Sequence, residues 1–251
     1  MSAIAAVIYR EARLRAGNVT FVFWDLCFPL LYMLIFGVGV SFGLGVPESA
    51  LGANYNSFFL SGVLAMAGFA IASNTAWSFF MDRDNGIFYE MLTYPLSRAQ
   101  YLIGKVVFNL FVVSVQAALT IGLCSSVLGV HLRADLLPVL FLGLIGCAAG
   151  WFFFYATLAL RIRRNDVYNS ITSVIYFVPI FVSSTFYPLA TLPAWFRGVA
   201  RANPITWEVD LLRYASIGMG NPREMMVEAA AFAVFSVIVF FLAVRSLRSQ
   251  E

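Results

Sequence analysis

Between Ser57 and Phe80 the chain carries no Asp, Glu, Lys or Arg, and the same holds for Val106–Leu128, Leu137–Leu160 and Ser170–Pro188. An apolar run of about 20 residues is long enough, as a helix, to cross the hydrocarbon of a bilayer. Two further runs, Thr20–Ser41 and Met225–Val244, qualify although they contain Asp25 and Glu228. An acid at mid-depth costs about 3 kcal/mol, whereas one near a helix end can reach the headgroups. Both acids lie toward an end of their run, so an interfacial seat is expected, with ion coupling as the alternative. Composition agrees: 61% of the 251 residues are hydrophobic and 12% charged, against about 25% charged in soluble domains. The expected fold is an all-α integral membrane protein of six spans, forming one domain over residues 1–251.

Six spans put both chain ends on the same side. That side, made of residues 1–17, 81–105, 161–169 and the segment after 244, holds eleven Lys and Arg, with Arg161, Arg163 and Arg164 the densest cluster; the other side holds five. Basic residues are retained in the cytoplasm, so both termini are expected there. Within residues 1–17, Ile4, Val7, Ile8 and Leu14 share a helical face opposite Arg10 and Arg13, while Glu11 and Arg15 break the pattern. An interfacial helix is expected; a cleavable signal peptide is the competing reading, disfavoured by the length of the first span and the lack of a small-residue cleavage site.

Two segments are too short to span. In the first, residues 84–96, Phe88, Met91 and Leu92 can share one side of a short helix that Tyr94-Pro95 ends. Ser97-Arg98-Ala99-Gln100 then matches a capping box that starts the next helix outside the bilayer. Such a helix either packs on its own protein or docks a cytoplasmic subunit. In the second, residues 189–218, two short helices are expected around Asn203-Pro204, stopped by Gly218 and Gly220, with Asp210 and Arg213 able to pair at i,i+3. Trp195, Phe196, Trp207 and Tyr214 are interfacial residue types. Helices dipping in from the outer face fit this segment, as a gate or as a structural plug.

The single histidine, His131, and Cys27, Cys124 and Cys147 show no metal-ligand or redox spacing, and no catalytic residues or metal site are expected. A phosphate loop requires G-x-x-x-x-G-K-[ST]. The sole Gly-Lys, Gly104-Lys105, has Ala99 at the first glycine position and Val106 after the lysine.

The stretch Asn85-Gly86-Ile87-Phe88-Tyr89-Glu90-Met91-Leu92-Thr93-Tyr94-Pro95-Leu96-Ser97-Arg98 resembles the signature of ABC type-2 export permeases. Phe186-Tyr187-Pro188-Leu189, continuing to Asn203-Pro204-Ile205-Thr206 and Asp210-Leu211-Leu212-Arg213, resembles that family's second block. Phe28-Pro29-Leu30-Leu31-Tyr32 with glycines 37, 39, 43 and 45 is similar to the nodulation-factor and daunorubicin-type branch. Tyr94 departs from the small or apolar residue usual there. The resemblance implies a permease of an exporter that works with two copies of a separate ATPase, which carries the ATP and magnesium, and with a second permease copy, identical or paralogous. Its setting would be the bacterial inner membrane. It implies ATPase coupling through Gly86, Phe88, Glu90, Met91, Leu92 and Pro95, and a substrate path along spans two and five that points to Phe69, Asn74, Trp77, Phe177, Phe181 and Ser184. Aromatic spans with few polar groups suit an amphipathic cargo such as a drug, lipid or lipid-linked glycan. The alternatives are an ion-coupled secondary transporter, which would want ionisable residues inside spans two to five, and a membrane-embedded enzyme. No nucleic acid is expected as a partner.

Overall fold

A computed structural model of the chain describes residues 2–39, 54–91 and 93–248. Among these, every regular element is helical: α1 (Ala3–Ala16), α2 (Val19–Tyr32) continued by a π-helical stretch Met33–Val38, α3 (Tyr55–Asp84), α4 (Ile87–Met91), α5 (Arg98–Val127), α6 (Leu137–Arg161), α7 (Asn165–Phe181), α8 (Ala194–Arg201), α9 (Pro204–Ile217) and α10 (Pro222–Arg248). Four of them, α3, α5, α6 (with the 3-10 turn before it) and α10, are long and apolar enough to cross a membrane. The end of the first expected span, Gly43, Gly45 and the coupling candidate Leu92 lie outside the described residues.

Helix α3 is the axis of the fold. It has 30 residues, a length of about 45 Å at 1.5 Å per residue, which exceeds a hydrocarbon core of about 30 Å. Its most apolar stretch is 83% buried, and α2, α5, α6 and α9 surround it. Small residues at Gly62, Ala65, Ala67, Gly68 and Ala72 let these neighbours approach closely. Helices α5 and α10, by contrast, leave wide apolar faces open, among them Phe111, Leu119, Val234 and Phe241.

The ends of the helices are closed by side chains the sequence placed locally and by others it could not. Ser97 accepts from the amide of Gln100 at 3.2 Å while the Gln100 side chain accepts from the Ser97 amide at 2.9 Å, so the expected capping box starts α5. Asn203 starts α9 by accepting from the Ile205 amide at 3.0 Å, and its side-chain nitrogen donates to the Pro179 carbonyl at 2.6 Å, one of the carbonyls α7 leaves open at its C-terminus. That helix ends at Phe181 rather than continuing to Pro188, because Ser183 turns its hydroxyl back onto the Ile180 carbonyl at 2.6 Å. Gly218 stops α9 with φ 73, a left-handed conformation that favours glycine. Two arginines counted as cytoplasmic markers also cap helices. Arg83 donates to the Leu160 and Ile162 carbonyls at 3.0 and 2.6 Å, closing α6, and Arg98 donates to the Arg248 carbonyl at 2.9 Å, closing α10.

Helix α1 lies along α5. A β-carbon on Gly104 would stand 2.6 Å from Cβ of Val7, so the two helices touch backbone to side chain there. Leu14, expected on the apolar face, is exposed, and Glu11, expected to spoil it, is buried. The reason is electrostatic: Glu11 and Arg15 both face protein charges rather than solvent. Gly104→Leu is expected to lift α1 off α5 at a cost of about 1–3 kcal/mol, the usual penalty of overpacking. Faster proteolysis within residues 1–17 of the purified variant would register it.

Gly150 faces α10, where an added Cβ would lie 2.9 Å from the Phe232 ring. A Cβ added at Gly146, one turn earlier, would meet nothing within 4 Å beyond its own helix.

Candidate functional site

Three regions gather the polar side chains. One is a groove of about 470 Å³ between α2, α3 and α7, within the range of about 300–1,000 Å³ of small-molecule sites. Helical spacing builds its walls: Asp25, Phe28, Pro29 and Tyr32 from α2, Met66, Ala70, Asn74 and Trp77 from α3, Tyr168, Thr172, Tyr176 and Phe177 from α7. Toward the α4 end, Asp25 accepts from Asn74 at 3.0 Å and from the Arg15 guanidinium. Asp25 is 6% exposed, so it faces protein, and Arg15 from α1 reaches it there. A second cavity of about 250 Å³, lined by Arg10, Arg15, Asn18, Met81 and Ile87, shares Asn74 and Trp77 with the groove.

Of the six residues named for a substrate path, the structure brings Asn74, Trp77 and Phe177 to this groove. The other three lie elsewhere. Phe69 is buried in the core with its ring 4.4 Å from that of Trp151. Phe181 stacks on Phe186 at 5.2 Å. Ser184 is buried and donates to Asp210 at 2.7 Å.

The second region is an ion cluster where α1, α3 and α5 meet. Lys105, fully buried, contacts Glu11 at 2.7 Å and Asp82 at 2.9 Å, and its ammonium lies 4.9 Å from the Phe79 ring centre and 5.0 Å from that of Tyr101. Tyr101 donates to Asp82 at 2.6 Å, and Arg10 donates to both Asp82 and Glu11. Short helix α4 sits on this cluster. Gly86, at φ 74, turns the chain out of α3, and Phe88 is buried against Tyr101 with ring centres 5.5 Å apart. Tyr89, Glu90, Tyr94 and Pro95 are exposed, and Met91 is half-buried. Helix α4 therefore has one face anchored on its own protein and another left open.

The third region joins α9 to the N-terminal half of α3. The expected Asp210–Arg213 pair is formed at 2.7 Å. Arg213, buried, also donates to the Ser184 carbonyl at 2.7 Å and stacks 3.9 Å above the Phe58 ring. Deeper, Glu208 is buried and accepts from the Trp151 indole at 2.6 Å; an added Cβ on Gly68 would lie 3.9 Å from its carboxylate, so α9 reaches about halfway down α3.

Sequence reasoning passed over Asp82 and Glu208, and took Asp25, Glu11 and Lys105 one at a time rather than as members of these clusters. For Asp25 and Glu208 one signal was available: each is a charge flanked by apolar residues at a helical position, as in Trp207-Glu208-Val209.

Residues 2–217 match the ABC-2 type transporter family. The chain belongs to that family. A transport permease named ycf38 of Pyropia yezoensis is 23% identical over 82% of this chain and 68% of its own length. Nodulation protein J of Rhizobium leguminosarum bv. trifolii is 28% identical over 88% of this chain and 83% of its own. The daunorubicin resistance ABC transporter permease DrrB1 of Streptomyces coeruleorubidus is 24% identical over 76% and 72% respectively. Family membership makes this ABC-2 chain a membrane-embedded, multi-pass transport permease whose transporter includes an ATP-binding subunit.

Proposed function

We propose that this permease is the membrane-spanning half of an exporter that moves an amphipathic cargo (drug, lipid or lipid-linked glycan) outward across a bacterial inner membrane. Six spans follow if α2 with its π-helical extension and α7 cross beside the four long helices, leaving both termini cytoplasmic. Two copies of a separate ATPase bind beneath a pair of permeases, and α8 with α9 dips in from the outer face. Within this reading α4 is the coupling helix. The carrying observation is its two-sidedness: Phe88 is fixed on Tyr101, over the Lys105 cluster, while Tyr89, Glu90 and Tyr94 stay open. A push on that open face is delivered to α1, α3 and α5 together, because the cluster joins all three. Closure of the ATPases then reorients the groove between α2, α3 and α7 from inward- to outward-facing.

Co-purification with the ATP-binding subunit of its transporter tests this. Glu90→Arg reverses the charge on the exposed face without touching Phe88, and is expected to weaken ATPase binding about tenfold, equivalent to about 1.4 kcal/mol. Unchanged affinity and unchanged stimulation of ATP turnover by cargo would remove α4 as the docking helix.

A further inference from the structure

We propose that the groove selects a cationic amphipath and that Asp25 is the residue that selects it. This rests on the groove being the cargo path, and goes beyond it in naming the charge that path accepts.

The argument begins with the charges on the wall. Of the described residues lining the groove, Asp25 is the one that is formally charged at neutral pH, and no Lys, Arg or His is among them. An anionic headgroup meets no positive partner on that wall. A cation meets a carboxylate and the rings of Trp24, Phe28, Tyr32, Trp77 and Tyr176. Aromatic faces attract cations through the ring quadrupole, most strongly where water is excluded. Ser73, Asn74 and Thr172 supply neutral hydrogen-bonding groups beside them.

Arg15 gives the carboxylate a cation to compare with. It reaches Asp25 from α1 and lines the neighbouring cavity rather than the groove. Asp25 therefore accepts a guanidinium in a buried setting, with Asn74 holding its other oxygen at 3.0 Å. A cargo cation in the groove approaches the same carboxylate from the opposite side and competes with Arg15. Loading would loosen the tie between α1 and α2, and α1 carries Glu11 of the cluster beneath α4. Cargo charge and coupling helix are thus linked through one short helix.

The test uses the full-length chain in detergent and a pair of probes alike in shape but opposite in charge, tetraphenylphosphonium and tetraphenylborate. Binding is read by quenching of tryptophan emission. Each affinity is expressed as the ratio of variant to wild type, which cancels partition into detergent. Asp25→Asn is expected to weaken tetraphenylphosphonium at least about tenfold and to leave tetraphenylborate unchanged or stronger. Arg15→Gln removes the competitor and is expected to strengthen tetraphenylphosphonium. A purely structural ion pair predicts the opposite for that variant, so equal weakening by both changes overturns the proposal. So does an Asp25→Asn ratio near one. Should Asp25→Asn misfold because Arg15 is stranded, the double variant Arg15→Gln/Asp25→Asn strands no charge and must show the same loss. Ala70→Phe, which fills the groove, separates the two levels. If it blocks both probes while Asp25→Asn spares them, the groove stands and charge selection falls. If it blocks neither, the groove is not the binding site.

Discussion

Lys105→Met is expected to destabilise the protein by about 3–5 kcal/mol, the cost of leaving buried charges without their partner. Methionine is unbranched like lysine and only one heavy atom shorter, so packing changes little. What is lost is the ammonium that Glu11 and Asp82 approach at 2.7 and 2.9 Å. Arg10 still touches both carboxylates, but it is a single positive charge and its side chain is 25% exposed. The two carboxylates then repel each other across the α1–α3 boundary. Thermal unfolding in detergent should show a large fall in Tm, together with release of α1 to protease. Lys105→Met/Glu11→Gln removes one stranded charge along with the cation and should recover a good part of the loss. A Tm within a degree of wild type would mean that water already serves these carboxylates and that the cluster does not bind the three helices.

Arg213→Lys is the second change with a large effect. Lysine keeps the charge but not the planar fork, and a single ammonium cannot reproduce donors held in that geometry. Here the fork donates to Asp210 and to the Ser184 carbonyl, both at 2.7 Å, while the guanidinium plane covers the Phe58 ring at 3.9 Å. These contacts tie α9 to α3 and to the turn after α7, so losing the fork loosens both joints. The expected destabilisation is about 3 kcal/mol, near the cost of breaking a buried pair. A local readout separates this from general unfolding. In a Thr185→Cys background the thiol is buried, as Thr185 is, and should react with a membrane-impermeant maleimide only when Arg213 is also changed. Equal protection in both backgrounds would place the stability of this end of the fold elsewhere.

These two sites show where sequence reasoning stops. Asp210 and Arg213 lie three positions apart on one helix, and their pairing was legible from spacing alone. Their third partner, the Ser184 carbonyl, is separated by 29 residues and was not. Lys105 and Glu11 are 94 positions apart, and Arg10 and Asp82 are 72 apart. Read one at a time, each such residue is a charge near the edge of a span, and the headgroup layer is its obvious destination. Asp25 too lies toward the end of its helix, and its partners Arg15 and Asn74, 10 and 49 positions away, were not legible from spacing. The cargo-path residues divide similarly. Asn74, Trp77 and Phe177 meet in the groove, while Phe69, equally aromatic and on the same helix as Asn74, points into the core.

By itself the sequence determined that this is an all-helical membrane chain and how α5 and α9 begin; of the six spans it named, four stand among the described residues as long apolar helices. These follow from local rules: a span needs an uninterrupted apolar run, and a helix start needs an acceptor within a few residues. The tertiary structure alone decided which apolar helix lies at the centre. Helices α3 and α10 are both span-length, yet the most apolar stretch of α3 is 83% buried and that of α10 is 17% buried, although α10 is the more apolar of the two. Lipid and protein interior are alike to an apolar side chain, so hydropathy does not distinguish them. Close approach does, and it depends on small residues in α3 meeting particular neighbours that the linear order leaves unspecified.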